Sequence, residues 1–235
     1  MSFLGFGGSS YNRPGPGIPK GAPQKKGSAL FLDILSREFW SLLTLNLIYS
    51  LACLPIITIG PATAALSRVT VTMVRDENVY PWRDFWDAFR KNIKQGLGFG
   101  IPATFFFFGA LWLNLTVLTT ENGTLWTAFI FLWTFFGVAL CCYIFPLVAY
   151  VALPWAPLLK NALYLTVLGK FRTAAAALVS ILTAAVSVAA LPIFPLVMIF
   201  CGGFAFLSLF NAFMVWPVID KFVLHKDELT EPSAQ

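Results

Sequence analysis

Apolar runs alternate with short polar segments along most of the chain. A membrane-spanning helix needs about 20 mostly apolar residues, and several runs meet that length. The first extends roughly from Phe39 to Ile59. Pro55 to Pro61 (Pro-Ile-Ile-Thr-Ile-Gly-Pro) interrupts it, because each proline removes a helix N–H donor. Ala62–Val74 follows as a second helical segment and carries Arg68. At 1.5 Å per residue this segment reaches only roughly 20 Å, short of a hydrocarbon core of about 30 Å. Gly96–Val117, Leu125–Leu153, Thr173–Pro195 and Leu196–Ile219 complete the pattern, with a polar turn at 119–124 and a partly polar connector over 154–171. The pattern predicts an all-α, polytopic membrane protein of about six spans: five, plus a short or re-entrant helix. Its membrane domain runs over 37–221.

Charge gives this pattern an orientation. Fifteen of the 16 Lys and Arg residues fall into four clusters: the N-terminal segment up to Arg37, residues 75–94, residues 160–172, and the C-terminal Lys221 and Lys226. Cytoplasmic loops retain excess Lys and Arg. With the N-terminus inside and Ala62–Val74 crossing back, every cluster is cytoplasmic and the turn at 119–124 is external. The expected location is a bacterial cytoplasmic membrane with both termini inside. Residues 1–36 read as a disordered, basic, Gly/Pro-rich cytoplasmic tail, and 222–235 as a short C-terminal tail.

The chain has 235 residues, 58% hydrophobic and 11% charged, with a mean hydropathy of +0.76. Soluble domains average roughly 25% charged residues, so lipid is the expected main solvent. The net charge of +5 is explained by the inside bias and the basic tail. No basic stripe with interleaved aromatics is present for nucleic acid. Cys53, Cys141, Cys142 and Cys201 lie in apolar runs without metal-ligand spacing, so no metal or other cofactor is expected. There is no zinc-protease motif, nucleophile elbow or intramembrane carboxylate pair, which argues against an enzyme. Gly96, Gly98 and Gly100 imitate a phosphate loop, but they enter an apolar helix without the preceding strand.

Two constellations remain as candidate sites. Asn46, Thr58 and Arg68 form a candidate polar membrane site on the first helical hairpin. Arg68 is the one basic residue at membrane depth, where a charge costs about 2.5–3.5 kcal/mol. A hydrogen bond to Asn46 or a reach toward Glu38 would offset part of that cost. The alternative is an arginine that snorkels to the headgroups. The second constellation is Pro81–Gln95. Trp82, Phe85, Trp86 and Phe89 recur at helical spacing, with Arg83, Arg90, Lys91 and Asn92 beside them. This describes an interfacial helix on the inner leaflet or a docking helix for a partner. Asn211 and Thr58 are candidates for bonds between helices.

These residues also carry a resemblance. Asn46, the run Cys53-Leu54-Pro55-Ile56-Ile57-Thr58-Ile59-Gly60-Pro61-Ala62-Thr63-Ala64-Ala65-Leu66, then Arg75-Asp76-Glu77, Asp84-Phe85, Phe89, Asn92 and Gln95 resemble the YesL-like bacterial membrane proteins. Ser67-Arg68 departs from that resemblance. The family has no assigned activity. The resemblance implies an accessory or permease-like component linked to carbohydrate ABC-type transport, with transporter subunits as partners beside the bilayer. A membrane-embedded regulator or assembly factor without transport activity stays open as the alternative.

Overall fold

The computed structural model describes residues 27–117, 123–151, 153–190 and 193–224. Among them all regular structure is helical: α1 (Ser28–Arg37), α2 (Phe39–Ala52), α3 (Ile59–Val74), α4 (Pro81–Lys91), α5 (Ile93–Val117), α6 (Gly123–Tyr150), α7 (Trp155–Leu168), α8 (Lys170–Ala189), α9 (Ile193–Phe200) and α10 (Gly203–Ile219). Among the described residues five stretches are long and apolar enough to cross a membrane: Ile56–Val74, Ile93–Asn114, Trp126–Tyr150, Lys170–Ala189 and Gly203–Val223. Phe39–Ala52 is a shorter apolar helix. The protein is an all-α, multi-pass membrane protein.

The hairpin differs from its sequence reading in one respect. The short arm is α2, not the segment after the prolines. The chain leaves α2 at Cys53, is extended at Pro55 (φ −78°, ψ 116°), and makes a 3₁₀ turn over Ile56–Thr58 before α3. Pro61 does not break the helix, because it falls in the first turn of α3. An N–H there would have no intrahelical partner to lose. The sixth span also departs from expectation. It is divided into α9 and α10 at Gly202, whose φ of +86° is left-handed, a region that glycine enters without steric cost.

The N-terminal tail expected over 1–36 is helical from Ser28. Ile34 is buried, and Leu30, Phe31 and Leu35 pack beside it against α2 and α10 side chains. Residues 1–26 and 225–235, and the turn at 118–122, lie outside the described residues. At the basic end of the bundle Arg37 pairs with Asp76 at 2.6 Å and Arg75 with Glu77 at 2.9 Å. Both pairs are solvent-exposed, so each contributes at most about 1 kcal/mol.

The central helix is α3, which packs on α2, α4, α5, α6 and α10. Its small residues Ala62, Ala64 and Ala65 are fully buried, as expected where helix backbones approach closely. The closest approach is to α5. A Cβ added at Gly60 would overlap the Gly96 carbonyl oxygen, and one at Gly100 would overlap the Gly60 Cα. The three glycines that imitate a phosphate loop are therefore better explained, at Gly96 and Gly100, as one helix crossing of the small-xxx-small type. Hydroxyl pairs join other helices: Thr70 with Ser208 at 3.0 Å, Thr72 with Tyr150 at 2.7 Å, and Tyr143 with Thr173 at 2.7 Å. Such contacts average about 0.6 kcal/mol each in a membrane. Large apolar side chains such as Trp40, Phe105, Trp112 and Leu182 face outward, as a lipid-facing surface requires.

Candidate functional site: a cavity among the membrane helices

The structure does not gather Asn46, Thr58 and Arg68 into one polar site. Each serves a different local need. Asn46 is fully buried. Its amide N–H groups donate to the carbonyls of Met198 (3.1 Å) and Ile199 (2.5 Å), and its carbonyl accepts from the Ala205 N–H at 3.1 Å. Those three backbone groups are the orphans created where α9 ends and α10 begins. Asn46 thus caps both sides of the helix break with one side chain. Thr58 lies 2.6 Å from the carbonyl oxygens of both Ala52 and Pro55. Its hydroxyl closes the turn that ends α2.

Arg68 is half-buried and turns toward α6. Its guanidinium lies 3.8 Å from the centre of the Tyr150 ring, and it donates to the Ala149 carbonyl at a long 3.4 Å. The expected hydrogen bond to Asn46 is not formed, because Asn46 is occupied at the break. Glu38 lies instead 3.4 Å from Arg37. Arg75 stands over Trp216 at 5.5 Å, and Tyr150 and Trp216 contact each other with centroids 4.8 Å apart. Tyr150 also donates to the Arg68 carbonyl at 3.2 Å. The cost of a charge at depth, about 2.5–3.5 kcal/mol, is thereby set against a cation–π contact of up to about 2 kcal/mol. Arg68→Met is therefore expected to change stability by only about 0.5–1.5 kcal/mol. Thermal unfolding in detergent is the measurement, and a loss several times larger would disprove this near-cancellation.

Tyr150 and Trp216 belong to a packed layer with Leu147, Val215 and Ile219. This layer joins α6 and α10 at the basic end. Away from it, α3, α5, α6, α8 and α10 form a ring in which each helix contacts the next. Inside the ring is a cavity of about 760 Å³. It begins near Phe145 and Pro146 and reaches Asn114, Val188 and Ala189 at the opposite helix ends. Among the described residues, none of its lining side chains is charged. Its polar side chains are scattered over the walls, among them Tyr49, Thr63, Thr134, Ser180, Ser208 and Asn211.

The asparagine expected to bond between helices does so. The Asn211 amide donates to the Ser180 hydroxyl at 3.1 Å, and Ser180 donates to the Ala176 carbonyl at 2.8 Å. Asn211 Oδ1 has only a long 3.4 Å approach to the same hydroxyl. Thr134 Oγ1 is buried without a hydrogen-bond partner. A space of about 760 Å³ among membrane-spanning helices is large enough to admit a small ligand or part of a lipid chain. Sequence reasoning missed this cavity. Its walls come from helices far apart in the chain, and single Ser or Thr residues in apolar runs are ordinary packing material.

The helix at 81–91 forms as expected but faces differently. Phe85 is fully buried and Ala88 nearly so, with Trp86 and Phe89 packed against the α2–α3 core. Asp84 accepts from the Tyr80 N–H at 2.8 Å and fixes the start of the helix. Asn92 donates to the Ala88 carbonyl at 3.0 Å and closes its end. The outward side carries Trp82, Arg83, Asp87, Arg90 and Lys91, all exposed. Trp82, Arg83, Trp86, Asp87 and Arg90 line a shallow depression.

Residues 40–119 match a family model described as a protein of unknown function, DUF624. That region holds α2, from its first turn, through α5. It includes Asn46, the α2–α3 turn, the Gly60–Gly96–Gly100 crossing and α4. No curated protein and no solved structure matches the chain. The matched region and the apolar helices fit an integral membrane protein of unknown function.

Proposed function

We propose that the protein is a non-enzymatic accessory component of a carbohydrate ABC-type uptake system, of YesL-like kind, in a bacterial cytoplasmic membrane. Both termini and the basic clusters face the cytoplasm, and nucleic acid is not a partner. The protein acts beside the sugar path and does not form it. The observation that carries this reading is the packed floor beneath an uncharged, mainly apolar cavity. A sugar brings many hydroxyls, and each one buried without a partner costs roughly 2–7 kcal/mol. Most of the polar side chains on these walls, among them Tyr49, Thr63, Asn114, Ser180 and Ser208, already bond protein partners and leave little for a sugar. A partner would instead meet the exposed side of α4, where Trp82 stands among Arg83, Asp87 and Arg90. Buried tryptophan and arginine anchors supply much of the binding energy of protein interfaces.

The test is a mild-detergent purification of the intact protein from its own membranes, with co-purifying proteins identified by mass spectrometry. Sugar-importer subunits in a fixed ratio are the expected result. Trp82→Ala with Arg83→Glu is expected to reduce their recovery at least about tenfold, a loss of ~1.4 kcal/mol or more, with insertion unchanged. Phe85→Asp is the contrasting variant. It places a carboxylate in the core and is expected to unfold the α4 region rather than only release a partner. Recovery of the protein alone, under conditions that keep a known importer intact, would overturn the accessory reading in favour of a regulator.

A further inference from the structure

We propose that the cavity is a binding site for a neutral long-chain amphiphile, an alcohol or carbonyl compound. Its polar end meets Asn211 and its chain lies along the apolar walls. Four observations converge on this class. The volume of about 760 Å³ falls within the roughly 300–1,000 Å³ of ordinary ligand sites. The cavity lies within a ring of membrane-spanning helices, so hydrocarbon is its nearest solvent. No lining side chain among the described residues is charged, so a phosphate or ammonium head beside Asn211 would be buried without a counter-charge. Yet a plain alkyl chain leaves polar groups unmet. Asn211 keeps one N–H and a poorly engaged Oδ1, and Thr134 Oγ1 has no partner. A terminal hydroxyl can donate to Oδ1 and accept from the free N–H or the Thr134 hydroxyl, a terminal carbonyl can accept from those two donors, and neither adds charge.

The probe is hexadecanol carrying a photoactivatable diazirine in its chain, added to the intact protein in phosphatidylcholine vesicles. Labelled residues are read by peptide mass spectrometry. Saturable labelling of Val138, Ile181 or Leu207 is expected, competed by unlabelled hexadecanol and not by hexadecyl phosphate or hexadecyltrimethylammonium. Asn211→Leu is expected to weaken this competition about fivefold, the value of one neutral hydrogen bond. Ala184→Phe fills the cavity and is expected to bring labelling inside it to background. Labelling of the lipid-facing Phe105 and Trp112 reports that the variant has inserted. If Ala184→Phe does not insert, Val188→Phe fills the same space from one turn further along α8. Three results would each overturn the proposal: labelling that never saturates, charged amphiphiles that compete as well as hexadecanol, or an Asn211→Leu variant that binds like the parent. A cavity filled by water gives no saturable labelling and is excluded or revealed by the first of these.

Discussion

Gly100→Leu is expected to abolish the folded protein, with a loss of about 3 kcal/mol or more. The reason is backbone against backbone. A Cβ at Gly100 would overlap the Gly60 Cα, and the nearest atoms it meets are all Gly60 backbone, which cannot swing aside as a flexible side chain could. Relief requires α5 to move away from α3, which is the most buried of the candidate spans. That movement would expose α3 surface packed against several helices at once. Gly109→Leu on the same helix is the matched control, since nothing lies within 4 Å of a Cβ placed there. Both variants differ from the parent by the same atoms and have the same helix propensity. Protein recovered after detergent extraction, together with its unfolding temperature, measures the difference. Equal stability of the two variants would disprove the close crossing.

Asn46→Leu is expected to cost about 3–5 kcal/mol, because it removes three hydrogen bonds and leaves buried backbone groups unsatisfied at about 1–3 kcal/mol each. The affected groups are the Met198 and Ile199 carbonyls and the Ala205 N–H. The loss is local in a way that the glycine variant is not. Amide exchange at Ala205 should rise well before the rest of α10 opens. Asn46→Asp keeps the acceptor but removes both donors, and it adds a charge facing two carbonyls. It is expected to be at least as damaging as the leucine variant. Unchanged exchange at Ala205 in both variants would show that Asn46 is not the cap.

The hydropathy pattern made the architecture legible, because a lipid solvent imposes one length and one composition on every span. Its limits lie at particular residues. Pro61 reads as a helix breaker, yet proline is tolerated in a first turn, and only position within the helix distinguishes the two cases. The aromatic spacing of Phe85, Trp86 and Phe89 identifies an amphipathic helix. Periodicity alone does not say whether that face meets lipid, a partner or the protein's own core. Asn46 is visible as a polar residue at membrane depth, but its partners lie more than 150 residues away. Arg68 was legible as an anomaly, and its aromatic support by Tyr150 was not. The cavity left the weakest signal, since it belongs to no single segment.

The cavity reaches the helix ends at Asn114, Val188 and Ala189, away from the packed core at the basic end, so a ligand that arrives from that side also leaves by it. This has a kinetic consequence. A bulky side chain that narrows only the route in raises the barrier for arrival and departure by the same amount. Both rates then fall by one common factor, and the equilibrium occupancy does not move. A chamber of this kind can be made slow without being made weak. Its response time and its sensitivity are set by different residues, those of the doorway and those of the walls.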